Sequence, residues 1–407
     1  MPSPHSDTHI DIHVDTVPAG SGAALKRTPL HALHLEHGAK MAPFSGYDMP
    51  IQYPAGILKE HLHTRASASL FDVSHMGQVL LRPVAGDLGA VAKALEKLVP
   101  VDVCALAPGR QRYAMFTNAQ GGILDDLMIG RPVAEDGGEH FMLVVNASRK
   151  DADTALLTEA LAGVAAVERR DDLALIALQG PLAHRVLAVL DADAEAMKFM
   201  DLRGLRLGGV ECLVTRGGYT GEDGFEISVP AAAAEATARL LLADPAVALA
   251  GLGARDSLRL EAGLCLYGSD IDETTTPVEA GLGFAIQKSR RTGGSRAGGF
   301  PGADMILRQF EEPPRRRRVG LKPLGRAPVR GGAQLYESET ATAPIGTVTS
   351  GGFGPSVDGP VAMGYVETDH VGAGAAASPP TVYADVRGRR LPVAIVDLPF
   401  TPHRYRR

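Results

Sequence analysis

The sequence predicts an α+β fold with a mixed body followed by a C-terminal β domain. Three observations carry that expectation. Up to about residue 310, amphipathic helical stretches are interspersed with short alternating or apolar runs. Beyond it the runs are short, β-rich and spaced by turns. Gly (47) and Pro (28) are abundant in the 407 residues but follow no G-X-Y period, so the chain is turn-rich rather than fibrous. At roughly 100–200 residues per domain, the length allows two or three domains.

Taken in order, residues 1–27 read as a disordered tail. They hold no Lys or Arg before Lys26 and no apolar signal core, while Asp7, Asp11 and Asp15 argue against a transit peptide. His5, His9 and His13 recur every four residues, but nothing apolar would hold them on a helix. Thr28-Pro29 opens a helix over 29–37, which Gly38 ends. Helices follow over 56–66 and over 88–98, the latter opened by Asp87 and closed before Pro100. Strands over 110–117 and 123–129 flank a turn at Asn118–Gly122. Phe141–Asn146 is a strand and 151–161 a helix, and the apolar run Leu173–Leu178 leads to a helix begun by Pro181. Val210–Arg216 and Phe225–Val229 pair across a glycine-rich turn, followed by helices over 232–242 and 254–262.

Residues 311–318, ending in four arginines, read as a solvated linker. After it come strands over 319–322, 345–349, 361–366, 381–387 and 391–396, the last two a hairpin around Gly388. The domain plan is thus a tail (1–27), a body (28–310), a linker (311–318) and a β domain (319–407).

Composition narrows the function classes. With 45% hydrophobic and 22% charged residues the chain is globular. A net charge of -6 speaks against nucleic acid as partner, and no apolar run is long enough for a membrane span. Cys104, Cys212 and Cys265 are scattered and odd in number, as expected of buried thiols in a reducing compartment. With no targeting segment, the cytoplasm is the expected location. GxGxxG, GxxxxGK[ST] and HExxH are all absent. His31, His34 and His37 sit on one amphipathic helix and read as surface or satisfied core histidines. Ser74 and His75 are neighbours on extended chain, so they face apart and form no triad with each other.

Three stretches can carry chemistry. In Gly121–Ile129 the alternation puts Asp125 on the face of Ile123 and Leu127, and Asp126 on the face of Leu124 and Met128. Both faces are apolar, so a carboxylate there needs a cationic partner, a substrate or an open strand end; a turn-capping Asp is the plainer alternative. In Gly217–Val229, Glu226 is placed to bond a flat heterocycle with adjacent N–H donors, or simply to face solvent. In Ala254–Gly263, Arg255 and Arg259 share a helix face and suit carboxylates, those of a ligand or of neighbouring side chains.

Together these stretches resemble the glycine cleavage system T-protein family of aminomethyltransferases. The matching text includes Arg27–Leu30, His37–Met41, Leu70–Met76, Gly121–Leu127, Ala177–Pro181, Gly218–Gly224, Ala254–Gly263 and Leu266–Gly268. It continues through Thr276–Glu279, Gly346–Gly351, Ala362–Tyr365 and Pro399-Phe400, in order, and spans about residues 27–407. The resemblance implies a three-domain clover-leaf of mainly antiparallel sheets with flanking helices, the body made of two interwoven subdomains and the C-terminal domain a β-barrel. It implies transfer of a one-carbon unit from the aminomethyl-lipoyl H-protein to tetrahydrofolate as cosubstrate. The products would be ammonia, 5,10-methylenetetrahydrofolate and dihydrolipoyl H-protein, with no metal or flavin. Carried over by position, Asp125 is the catalytic aspartate, Glu226, Arg255 and Tyr405 are folate-site residues, and Arg259 is a weaker folate candidate. Tyr47 stands where the family often has Trp. Tyr405 lies near a chain end open to fraying, and Ser289–Phe300 reads as a mobile loop. The rival readings are a non-catalytic folate-binding module, the folate region of a flavin dehydrogenase, and a scaffold for H-protein.

Overall fold

A computed structural model describes residues 24–134, 138–372 and 379–407. The tail expected over 1–27 falls mostly outside them. Its last residues do not hang free: Lys26 bridges to Tyr47, and its backbone bonds Gly46 and Asp48.

The body holds two main sheets, and the chain crosses between them early. Ala68–Asp72 belongs to a six-stranded sheet and the next strand, Gly77–Pro83, to a five-stranded one. The six-stranded sheet runs Leu202–Leu207, Val210–Arg216, Gly224–Pro230, Leu173–Gln179, Ala68–Asp72, Val247–Leu249. All its pairings are antiparallel except the last. Leu173–Gln179 is buried on both faces, Ala174, Ile176 and Leu178 in one core and Leu175 and Ala177 in another, which is why it reads as an unbroken apolar run rather than an alternating one. The five-stranded sheet runs Arg110–Thr117, Ile123–Arg131, Phe141–Val145, Gly77–Pro83, Ala165–Arg169 and is antiparallel throughout.

Each sheet buries one face under helices. Leu88–Leu95, capped by Asp87 accepting from the Ala90 amide at 3.1 Å, packs Val91 and Leu95 into the core of the five-stranded sheet. Ala183–Leu190 and Ala234–Leu242 do the same for the six-stranded sheet. The helix Leu252–Glu261 carries Arg255. Its Gly251 start lies against the backbone of Ile51, where no Cβ would fit.

The C-terminal domain is a closed barrel of six strands, with its own core around Leu321, Leu335, Val348 and Val393. The solvated linker expected over 311–318 is corrected. The helix Ala303–Glu311 reaches almost to the barrel, and Arg316–Pro323 is already its first strand. Two of the four arginines grip the body: Arg316 pairs with Glu279 at 3.4 Å, and Arg318 donates to the carbonyls of Ala280 and Gly263, each at 2.8 Å, while Arg315 and Arg317 bond Glu367 and Val371 within the barrel domain. Ser289–Phe300, expected to be mobile, is tied down in the same way. Buried Arg290 donates to the Glu96 carbonyl at 2.6 Å, and Arg296 pairs with Glu96 at 3.0 Å.

The histidine helix is His31–Glu36; of the three histidines expected to be surface or satisfied core groups, His31 and His34 are satisfied core groups and His37, just past the helix, is exposed. His31 bonds Asp48 at 2.9 Å; His34 bonds Asp72 at 2.8 Å and Tyr53 at 2.9 Å. Tyr47 has a use that Trp would lack. Its hydroxyl accepts from the buried Lys150 ammonium at 2.6 Å, while the ring lies 4.6 Å from that cation.

Candidate active site

The sheet faces opposite the two helix-covered cores approach each other, with Ala254 and Leu258 of the helix Leu252–Glu261 packed on Phe71, Leu175 and Ala177 beside the approach. Met128, Met142 and Val144 from the five-stranded sheet line a narrow cleft with Leu175, Glu226 and Ser228 from the six-stranded one. Gln111 joins this cleft to a larger cavity of about 370 Å³, bounded by Tyr113, Phe284, Met200, Arg110 and Arg112. Phe284 is a large apolar ring left exposed, stacked on Tyr113 with centroids 6.2 Å apart. An open aromatic pair of this kind suits a flat ligand.

Glu226 stands in Gly224–Pro230, opposite Thr215 and Ala177. Burial pushes its carboxyl above the ordinary range, opposed by Arg255. The Arg255 guanidinium lies over the Tyr219 ring at 4.9 Å, and Tyr219 is itself fixed by a hydrogen bond to the Cys265 carbonyl. Arg255 Nη1 is buried with no hydrogen-bond partner. A buried guanidinium N–H without an acceptor is costly and calls for a ligand. Glu226 lines the cleft and Arg255 lies near enough to act on its charge, so the two offer an acceptor and an unpaired donor complementary to a heterocycle with N–H and C=O groups.

The alternation of Ile123–Arg131 decides between the two aspartates. Asp125 shares its face with Ile123, Leu127 and Ile129, which are in the helix-covered core, and it is 0% exposed. Its oxygens accept from the Asn146 side chain at 2.9 Å and backbone at 3.1 Å. Asp126 shares its face with Met128, which lines the cleft opposite Glu226, and is part exposed. It accepts from the Tyr113 hydroxyl at 2.9 Å and from Asn146 Nδ2 at 2.8 Å. The two carboxyls are raised to about 8 and about 7, both chiefly by desolvation; beyond that, Asp153 acts on Asp125, and Asp125 acts on Asp126. The strand therefore turns Asp126, not the expected Asp125, toward the cleft.

Arg259 is not brought to the site. Its guanidinium is taken up by Asp256 at 2.9 Å, Asp270 at 2.7 Å and the barrel's Ser350 at 2.9 Å, a corner bracket between body and barrel. Tyr405 does not line either cavity and is held beside Phe199, the neighbour of the cavity-lining Met200. Its ring stacks on Phe199 with centroids 4.2 Å apart, and the chain around it bonds Gly221 and Phe199. Among the described residues, no group of three or more His, Cys, Asp or Glu is arranged to hold a metal ion.

Sequence reasoning missed Asn146, Asp153, Tyr113 and Tyr219. Asn146 ends a predicted strand and Asp153 sits on a predicted helix, but nothing local ties either to Asp125.

Two family models match the chain: the GCVT N-terminal domain over residues 30–290 and the glycine cleavage T-protein C-terminal barrel domain over 316–401. The chain is similar to the mitochondrial aminomethyltransferase of Dictyostelium discoideum, with 42% identity over 404 residues and 95% of each chain covered. It is 44% identical to that of Gallus gallus over 400 residues, covering 97% of this chain and 96% of the relative. Its structure matches the crystal structure of glycine cleavage system aminomethyltransferase T from Bartonella henselae with a TM-score of 0.84 and 43% identity, covering 94% of this chain and 100% of that one.

Proposed function

The chain belongs to the glycine cleavage T-protein family and is an aminomethyltransferase; from that premise we propose that it moves the one-carbon unit from the aminomethyl-lipoyl arm of the H-protein to tetrahydrofolate. The observation that carries the folate reading is the unpaired Arg255 Nη1 near the partly buried Glu226 that lines the cleft. A pterin presents adjacent N–H donors to a carboxylate and acceptors to a guanidinium, and its ring fits between apolar walls. Tyr113 and Phe284 line the way out along the larger cavity, where the rest of the folate would lie, and Tyr405 is proposed to meet its far end.

The catalytic role expected for Asp125 is proposed here for Asp126. Carbon–sulfur and carbon–nitrogen exchange at the aminomethyl carbon builds iminium-like positive charge. A carboxylate at the cleft stabilises that charge and takes up the proton that a folate nitrogen loses on attack. Both folate nitrogens lose a proton, the amine leaves as ammonium and the sulfur as a thiol, so the protons balance. Asp125, enclosed behind it, holds Asn146.

The test is ammonia release from aminomethyl-loaded H-protein, with and without tetrahydrofolate. Folate-dependent release with an equal yield of methylenetetrahydrofolate supports the reading. Tight folate binding without turnover would favour the non-catalytic module instead. Asp126→Asn is expected to lose at least 100-fold in kcat, on the order of a general-base contribution, with folate affinity largely kept. Glu226→Ala is expected to weaken folate binding, and an unchanged dissociation constant would count against its assignment.

A further inference from the structure

Behind Asp126 the structure leaves a proton unaccounted for. Asp153, on the first turn of the helix Lys150–Ala160, is 1% exposed, and its Oδ2 is buried with no hydrogen-bond donor. The group it faces is the carboxyl of Asp125, which lies within hydrogen-bonding reach and is itself fully enclosed. Two carboxylates in contact offer only acceptors to each other, and burying both as anions is strongly unfavourable. The surroundings supply too little positive charge for both. Arg149, at the helix start, acts on Asp153, but its guanidinium lies over the Tyr267 ring at 5.5 Å and 3.6 Å from Glu273. Asn146 contributes neutral donors only, and Asp126 adds a further negative charge.

We propose that Asp125 and Asp153 share one proton, an acid pair whose single negative charge positions Asn146 and sets the proton affinity of Asp126. The proton supplies the donor that Asp153 Oδ2 lacks. Asp125 keeps its two acceptor contacts to Asn146, and Asn146 Nδ2 bridges to Asp126 Oδ1 at 2.8 Å. Asp125 and Asp153 are positioning residues here, acting through Asn146 and Asp126. The consequence for turnover rests on the aminomethyl-transfer reading; the shared proton itself does not.

Infrared difference spectroscopy of the free protein at neutral pH tests the proton directly. Asp126 is itself part protonated at neutral pH, so the band is read in Asp126→Asn, which removes that contribution: a protonated carboxyl band is expected there, and it should vanish when Asp125→Asn is added. The new amide would lose the acceptor for the Asn146 backbone. Should that double variant fail to fold, Asp153→Asn, which donates to Asp125 and lets it ionise, is added to Asp126→Asn instead and should also lose the band. A band that is absent from Asp126→Asn, or that survives in the folded double variant, overturns the proposal.

The pH profile of kcat/KM counts the charge. Because the pair already carries only one negative charge, Asp153→Asn relocates that charge without removing it. The acid limb should not move to lower pH, whatever the turnover. A downward move of about one unit would mean that both carboxyls are ionised in the wild type, and would overturn the shared proton. Missing turnover with the band intact would instead count against the function.

Discussion

At the scale of the residue, the site works through charges held away from water. His75, next to the buried Lys150 and near Arg255, is kept neutral by desolvation, its imidazole lowered to about 4. Asp126 is the reverse case, a carboxyl raised to about 7, so it is only part ionised at neutral pH. As a base it must be an anion, so activity should rise with pH through about 7 and fall below it. The Tyr113 hydroxyl bonds the ionised form and thereby lowers this value. Tyr113→Phe removes that bond while keeping the ring over Phe284. The acid limb of kcat/KM is then expected to shift upward by about half to one unit, since a hydrogen bond to a charged group contributes about 1.5 kcal/mol at the low end and solvent recovers part of it. A limb that stays in place or moves down would remove Tyr113 from this role.

At the scale of the element, the turn between the first two strands of the five-stranded sheet positions Asp125 and Asp126. Asn118 closes it, its Oδ1 accepting from the Gln120 and Gly122 amides at 3.0 and 2.9 Å. Gly122 lies so close to the Glu273 carbonyl that an added Cβ would overlap it. Gly122→Ala should therefore push the turn off the 272–275 loop. A loss of about 1–3 kcal/mol in denaturant unfolding is expected, together with reduced kcat, because the aspartates move with the turn. An unchanged midpoint would show that the loop yields freely. The two strands that this turn joins were legible in the sequence because their residues alternate and a glycine-rich turn separates them. Ala68–Asp72 and Leu202–Leu207 were not. The first is buried along its whole length and so does not alternate; the second is interrupted by Gly204. The helix Ala303–Glu311 carries helical spacing at Ala303, Ile306, Leu307 and Phe310, but it starts at Gly302 with no capping side chain to mark it. The site divides the same way. Glu226 and Arg255 could be picked out because each sits in a distinctive local stretch. The choice between Asp125 and Asp126 depends on which face of the strand the helices cover. The use of Arg259 depends on Asp270 and Ser350, the latter 91 residues away.

At the scale of the whole molecule, body and barrel are joined by buried charge rather than by a flexible connection. Glu261, at the end of the Arg255 helix, is the hub. It accepts from Arg65 at 3.0 Å, from His61 at 3.1 Å and from the Ser356 amide at 2.7 Å, and Ser356 belongs to the barrel domain. Asp270 repeats the device, bonding Arg259 from the body and Ser350 from the barrel at 2.9 Å. Burial alone would raise the Glu261 carboxyl, but its bonds to His61 and Ser356 win and hold it near about 2. A carboxyl lowered on folding stabilises the native state fully above its unfolded value, near 4.5, and this contribution disappears as pH falls toward about 2. His61 acts in the same direction. Desolvation lowers it, so the unfolded chain takes up a proton below about 6.5 that the folded chain refuses. The body–barrel joint should thus weaken from about pH 6.5 downward and most steeply below 4.5. Glu261→Gln leaves Arg65 with one fewer counter-charge and should cost about 3–5 kcal/mol, as breaking one partner of a buried pair does. At neutral pH, calorimetry of the wild type should show one cooperative transition, and that of the variant a separate, earlier barrel transition. A variant that still melts in one step, at an unchanged temperature, would mean that the apolar contacts of Leu260 with Val361 and Met363 hold the two domains together without the buried charges.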